Sequence, residues 1–208
     1  MAEHKEVKAD SKSKEQIIQA AAELFMDLGY AGTSIDTIAH RLGATKGRIY
    51  HHYRSKSQIF FDIQRTAMTR LMEATLPLAQ APLPAEERLK NMAFAHLELL
   101  LKELPIQKVA VQGLNRYLFE NEGFRHSKPL HEINQLRDEY EGIFIEVIEQ
   151  GIQEGAFINL PAHLLSKPFF GAMNWVTVWY RPRRLQTDED IDAICTMLVE
   201  FSMRGLRQ

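Results

Sequence analysis

The sequence predicts an all-α protein of about nine helices, with a small N-terminal domain and a larger helical C-terminal domain. Three observations predict it. Apolar residues recur at steps of three and four, as in Ile17, Ala21, Leu24, Phe25 and Leu28, and again in Ile191, Ile194, Leu198 and Phe201. That spacing marks one face of a helix, whereas strands alternate. Helix-start signals, a Ser or Thr followed three residues later by Asp or Gln, stand at Thr33, Ser55 and Thr187. Gly29, Gly43 and Gly155 stand where apolar stripes end.

Composition narrows the class. The chain has 208 residues, 45% hydrophobic and 25% charged, ordinary for a globular protein with a real core. A net charge of −2 excludes a histone-like basic protein. The charge is uneven, however. Residues 1–56 hold nine Lys and Arg against seven Asp and Glu, and the remainder holds 16 against 20. A locally basic domain on an acidic body suits a nucleic-acid regulator. The single cysteine, Cys195, excludes an internal disulfide and reads as a small core residue in a reducing cytoplasm. No apolar run reaches the ~18 residues of a membrane span. The opening MAEHKEVKADSKSK has no hydrophobic stretch, so a cytoplasmic protein is expected.

Residues 1–12 alternate charges and read as a mobile tail, whose Lys5, Lys8 and Lys12 have the chemistry of a minor-groove arm. The first helix spans about 13–28 and Gly29 closes it. The second opens at Thr33, with Asp36 completing a capping box, and buries Ile35, Ile38, Ala39 and Leu42. Gly43 stops it, because a tight turn needs a residue free of a Cβ. Thr45 caps the third helix, whose core side is Ile49 and Tyr53. Small, glycine and aliphatic residues at Ala39, Gly43 and Ile49 meet the steric needs of a helix-turn-helix. Residues 13–56 are therefore read as a DNA-binding domain, and 57–208 as the remainder.

From Arg41 to Phe61 there is no Asp or Glu, yet there are Arg41, Lys46, Arg48, Arg54 and Lys56. An acid-free cationic strip suits a duplex, which carries about one phosphate charge per 1.7 Å. Lys46, Arg48, Tyr50 and His51 are expected to project away from Ile49. The base-reading candidates are Lys46, Gly47, Arg48 and His51; the phosphate candidates are Thr33, Ser34, Thr45, Tyr50, His52 and Lys56.

A fourth helix opens at Ser55-x-x-Gln58, runs to about Leu76 and joins the two domains. Three prolines make 76–84 a loop. Helices follow at about 85–104, 106–120 and 129–153, separated by Pro105 and by Asn121-Glu122-Gly123. The next starts near Pro161 and carries FFGAMNWVTVWY, apolar almost all round, so it needs cover on more than one side. Thr187 and Asp190 cap the last helix.

The run GYAGTSIDTIAHRLGATKGRIYHHYRSKSQIF resembles the DNA-binding signature of the TetR/AcrR family of transcriptional regulators. The resemblance rests on Gly29, Thr33, Ile38, Ala39, Gly43, Lys46, Gly47, Ile49, Tyr50, Tyr53, Ser55, Lys56 and Phe60, and covers residues 13–61. Thr45 stands where the family commonly has Ser, and Arg48 where a smaller Gly, Ser or Thr is usual. The resemblance implies a homodimer built by the last two helices, on a palindromic operator. The face expected there is Phe169, Ala172, Val176, Trp179, Ile191, Ile194, Leu198 and Phe201. It also implies a small-molecule effector in the larger domain, among Met92, Phe94, Tyr117, Phe119, Phe124, Tyr140, Phe144, Met173 and Trp175.

The stretches Asn174-Trp175 and Trp179-Tyr180-Arg181-Pro182 are similar to the corresponding helix of family members that control fatty-acid, aromatic-acid and steroid breakdown. That similarity implies an acyl-coenzyme A or related carboxylic acid, with Arg181, Arg183 and Arg184 toward its phosphates. The alternative effector is a hydrophobic cation, as in control of efflux, which would use Glu98, Glu120 or Glu139. The alternative of another class is a helical ligand-binding protein or enzyme. No catalytic, metal-ligand or cofactor motif accompanies it: His51-His52 diverge on a helix, and His126, His131 and His163 lack ligand partners at helical spacing.

Overall fold

The computed structural model describes the backbone of residues 2–120 and 127–207, and the side chains of residues 10–113 and 127–207. The described helices are α1 (Ala2–Gly32), α2 (Ile35–Arg41), α3 (Lys46–His52), α4 (Lys56–Ala79), α5 (Ala85–Lys102), α6 (Leu104–Glu120), α7 (Lys128–Gln153), α8 (Ala162–Asn174), α9 (Val176–Trp179) and α10 (Asp188–Arg204). Among the described residues the only β feature is an isolated bridge between Phe157 and Arg207. None of these helices is long and apolar enough to cross a membrane. The chain forms two compact units, Met1–Ala67 with Pro105–Ile133, and Met68–Leu104 with Asn134–Gln208. The break expected at residues 121–123 lies outside the described residues.

In the first unit, Ile17, Ala21, Leu24 and Phe25 of α1 are buried with Ile38 and Ala39 of α2, Ile49 of α3 and Ile59, Phe60 and Ile63 of α4. Each large aliphatic or aromatic chain so buried contributes about 1.5–3 kcal/mol. Gly29 and Gly43 take φ of 76° and 59°, the left-handed turns predicted for them. Three details differ from the sequence reading. The helix continues back to Ala2 where a tail was expected, through a segment rich in the helix formers Ala, Glu and Lys. Leu28 is 54% exposed, at the rim of a crevice with Gly29 and Tyr30, rather than in the core. Ser34, not Thr33, caps α2, its hydroxyl accepting from the Thr37 N–H at 3.0 Å.

In the second unit, Leu89, Met92, Leu97 and Leu100 of α5 are buried with Phe144 and Ile148 of α7, Phe169 and Met173 of α8, and Cys195, Val199 and Met203 of α10. The thiol of Cys195 is pushed up to about 12 by burial, as suits a core residue. Thr187 and Asp190 form the predicted reciprocal capping box. α4 runs past Pro77 to Ala79, three residues beyond its expected end at Leu76. Pro77 lies in the last turn, where its missing N–H removes a single bond. The long apolar helix expected after Pro161 breaks at Trp175 into α8 and α9.

Candidate nucleic-acid interface and effector site

The α2–α3 pair is held from below by Ile49, which is fully buried, and at its end by Tyr53. The Tyr53 hydroxyl donates to Asp62 Oδ2 at 2.7 Å. The same carboxylate pairs with Lys14 of α1 at 2.8 Å and Arg65 of α4 at 3.0 Å. Burial pushes the Asp62 carboxyl up, but the hydrogen bonds from Lys14, Tyr53 and Arg65 hold it below the ordinary carboxylate range. Burial, then the bond to Asp62, raises the Tyr53 phenol above its usual value. One acid thus ties the end of α3 to α1 and α4, and fixes where α3 ends.

Lys56 is equally committed. Its Nζ donates to the carbonyls of Tyr30 at 2.6 Å and Thr33 at 2.7 Å, and sits 4.2 Å from the Tyr30 ring centroid. It closes the turn between α1 and α2 from the start of α4. Thr33 is turned inward as well. It is 2% exposed, and its hydroxyl donates to Gly29 O at 2.9 Å and Leu24 O at 3.2 Å. Its side chain therefore locks the turn instead of offering a donor to phosphate.

The remaining DNA candidates divide. Ser34, Thr45, Lys46, Gly47, Tyr50 and His51 are exposed. Thr45 occupies the N-cap of α3, but its hydroxyl makes no capping bond. Arg48 was expected to project outward as a base reader and His52 to contact phosphate; both turn to α1 instead. Arg48 Nε donates to Ser13 Oγ at 3.1 Å and Nη2 to Gln16 Oε1 at 2.5 Å. His52 Nε2 lies 3.1 Å from the same serine hydroxyl, and its ring is only 7% exposed. The reason is tertiary: α1 crosses beside α3, and its polar residues at 10, 13 and 16 supply acceptors that helical spacing within α3 cannot reveal. The strip is also less free of acids in space than in sequence. Asp36 reaches Lys46 at 2.6 Å and Glu23 reaches Arg41 at 2.9 Å, both exposed pairs of small energetic weight.

The second unit holds an aromatic cluster that includes two of the predicted effector residues, Tyr140 and Phe144. Met92, Tyr140, Phe144 and Met173 are buried and Phe94 is half-buried. The sequence reading missed the residue at the centre, His96. Its Nε2–H donates to Asn174 Oδ1 at 3.0 Å, which leaves Nδ1 to accept from the Tyr140 hydroxyl at 2.9 Å. The rings of Tyr140, Phe144 and Phe170 lie 5.5–6.4 Å from the imidazole. Burial drives the imidazole down to about 4, against the opposing pull of the bond to Asn174. A lone histidine at an apolar-stripe position gave no signal of this. The side chains of Tyr117 and Phe119, and residue Phe124, lie outside the described residues. Trp175 is 62% exposed, because it caps the break between α8 and α9 and leaves the cluster.

Arg181 lines a cleft of about 610 Å³ together with Trp179, Tyr180, Pro182, Arg183, Gln186, Asp190, Ala193 and Ile194. Its Nη1 donates to the carbonyls of Val178 and Tyr180 at the end of α9. Of the acids named for a cation site, Glu98 pairs with Lys102 at 2.7 Å, Glu139 is exposed, and the side chain of Glu120 lies outside the described residues. Of the expected dimer face, Phe169 and Val176 are buried within the chain, since an all-round apolar helix feeds its own core first. Ala172, Ile191, Ile194 and Leu198 are half-exposed, and Trp179 and Phe201 exposed.

Comparison with known proteins gives one answer along the whole chain. Residues 17–63 match the family described as bacterial regulatory proteins, tetR family, and residues 82–206 match the tetracyclin repressor-like C-terminal domain. The chain is 25% identical over 198 residues to the HTH-type transcriptional repressor KstR2 of Rhodococcus jostii, covering 94% of this chain and 92% of that one. It is 24% identical to the fatty acid metabolism regulator protein of Bacillus subtilis, covering 92% and 94%. The structure resembles AibR in its complex with isovaleryl coenzyme A and operator DNA, with a TM-score of 0.72, 25% identity and coverage of 90% and 98%. The chain belongs to the tetR family of bacterial regulatory proteins and is a DNA-binding transcriptional regulator.

Proposed function

We propose that the protein is a repressor that binds a palindromic operator as a homodimer and releases it when an acyl-coenzyme A or related carboxylic acid binds. Residues 13–56 hold the DNA and 57–208 carry the effector and the dimer contact. The observation that carries the DNA half is the exposed face of α3, where Lys46, Gly47, Tyr50 and His51 stand together on a helix fixed by Ile49 and Asp62. Ser34 and Thr45 add exposed hydroxyls at the starts of α2 and α3, suited to phosphate. The dimer half is supported by the exposed Trp179 and Phe201 beside the half-exposed Ile191, Ile194 and Leu198, an apolar surface that a single chain leaves in water.

The effector class is supported by the likeness to AibR, solved with isovaleryl coenzyme A, and to one regulator named for fatty-acid metabolism. In this chain the cleft beside Arg181 and Arg183 offers guanidinium groups for phosphates next to Trp179 and Tyr180. The cluster around His96 offers apolar surroundings with a small polar set for an acyl group.

The test is a displacement titration on an operator selected from random duplexes. Acyl-coenzyme A thioesters of increasing chain length, the free acids and lipophilic cations are added in parallel. Release by thioesters, weakened by Arg181→Ala, is the expected result. Release by cations alone overturns the effector class. Release by thioesters with unchanged potency in Arg181→Ala keeps the class and removes Arg181 from the site.

A further inference from the structure

Successive residues of a helix are rotated by about 100°, so the seven residues of α3 divide into faces. Ile49 points into the core. Arg48 and His52, one turn apart, point to α1, and His51 flanks them. Lys46, Gly47 and Tyr50 occupy the other side and are exposed. The bonds across to α1 are specific. Arg48 takes Ser13 Oγ and Gln16 Oε1, His52 takes Ser13 Oγ, and Asp10 Oδ1 lies 3.5 Å from His51 Nε2 and 3.6 Å from His52 Nδ1. Positions 10, 13 and 16 are spaced by three and lie along one side of α1, facing positions 48, 51 and 52.

We propose that Arg48 is a positioning residue rather than a base reader. With Asp10, Ser13 and Gln16 it braces the recognition helix against α1, and sequence is read from the side carrying Lys46, Gly47 and Tyr50. A guanidinium holds two acceptors in a fixed fork, so it sets the rotation of α3 about its own axis more tightly than a short side chain can. The rotation decides which donors reach base edges, and base readout depends on contacts of hydrogen-bond precision. The brace rests on the reading of α3 as the DNA-facing helix.

The test compares wild type, Arg48→Ala, the double variant Ser13→Ala/Gln16→Ala, the triple variant, and the charge pair Arg48→Lys/Gln16→Glu. Each is melted to confirm folding, and affinity is measured on the selected operator and on all its single-base variants. Ser13 and Gln16 are the decisive positions, because they lie on α1 and not on the reading face. The brace predicts that Arg48→Ala loses affinity by about tenfold for the charged hydrogen bonds removed, and that the double variant loses at least as much, because Ser13 also partners His52. The triple variant loses no more than the double, the base preference at every position keeps its order, and the charge pair recovers most of the loss. The proposal is overturned if Arg48→Ala abolishes preference at one or two base pairs while the double variant matches wild type. It is also overturned if both match wild type. A wild-type protein that selects no duplex at all sinks the DNA-facing assignment of α3 itself, which is a different failure.

Discussion

The buried imidazole of His96 makes stability depend on pH in a way that one substitution removes. The side chain is 2% exposed and hydrogen-bonded at both nitrogens. Burial lowers it from the ordinary 6.5 to about 4 in the folded chain. Between these values the unfolded chain binds a proton that the folded chain excludes, so stability rises with pH there. The contribution is complete above 6.5 and is lost as pH falls toward 4. At about 1.4 kcal/mol per decade, the fall from 6.5 to about 4 amounts to roughly 3 kcal/mol, of which roughly 2 is lost between pH 7.5 and 5. His96→Phe keeps an aromatic ring but leaves the Tyr140 hydroxyl and Asn174 Oδ1 without this partner, which costs about 1–3 kcal/mol for each group at neutral pH. Wild type and variant are unfolded with urea at fixed protein concentration from pH 7.5 to 4.5. Every other titrating group is common to both, so the difference between their stabilities isolates His96. That difference shrinks by roughly 2 kcal/mol on going to pH 5 if the imidazole is buried and neutral. Parallel curves, or a wild-type advantage that grows in acid, would refute the reasoning.

Three further outcomes follow from the geometry. Lys56→Ala removes the ammonium that closes the Tyr30–Thr33 turn, so it lowers stability by about 1–2 kcal/mol and weakens operator and random duplex by the same factor; a loss confined to the operator contradicts this. Leu198→Asp puts a charge into the half-exposed apolar face of α10, and light scattering should show monomer at concentrations where wild type is dimeric, with operator affinity falling because two half-sites about 34–36 Å apart need linked modules. A monomeric wild type sinks it. Gly151→Ala brings a Cβ into overlap with two ring carbons of the fully buried Phe157, so the ring is displaced and chemical denaturation should show a loss of about 1–3 kcal/mol; an unchanged midpoint would mean the ring moves without strain.

Much of the first unit was legible in sequence because its signals are local. A stripe at steps of three and four needs only the helix period, and Gly29 and Gly43 needed only the absence of a Cβ. The capping box at Thr187 and Asp190 closes over four residues and was read without a structure. Signals that depend on which of two neighbours takes a role were less secure. Thr33 and Ser34 are both capable caps, and the choice fell to Ser34 because α1 and Lys56 draw Thr33 inward.

The sequence by itself determined the helical class, the helix-turn-helix, the family likeness and the approximate extent of most of the helices, since these follow from periodicity and from residues within a turn or two of one another. Only the tertiary structure decided where the polar side chains are used. Arg48 and His52 are bonded to residues 32 to 39 positions away, and His96 finds its partners on α7 and α8, 44 and 78 positions along the chain. Trp175 leaves the core at the break after Asn174, and Phe169, expected on the dimer face, is buried within the chain. A hydrogen bond requires atoms within about 3 Å of each other. Separation along the chain carries no information about that distance once helices pack side by side, so the network appears only when they are assembled.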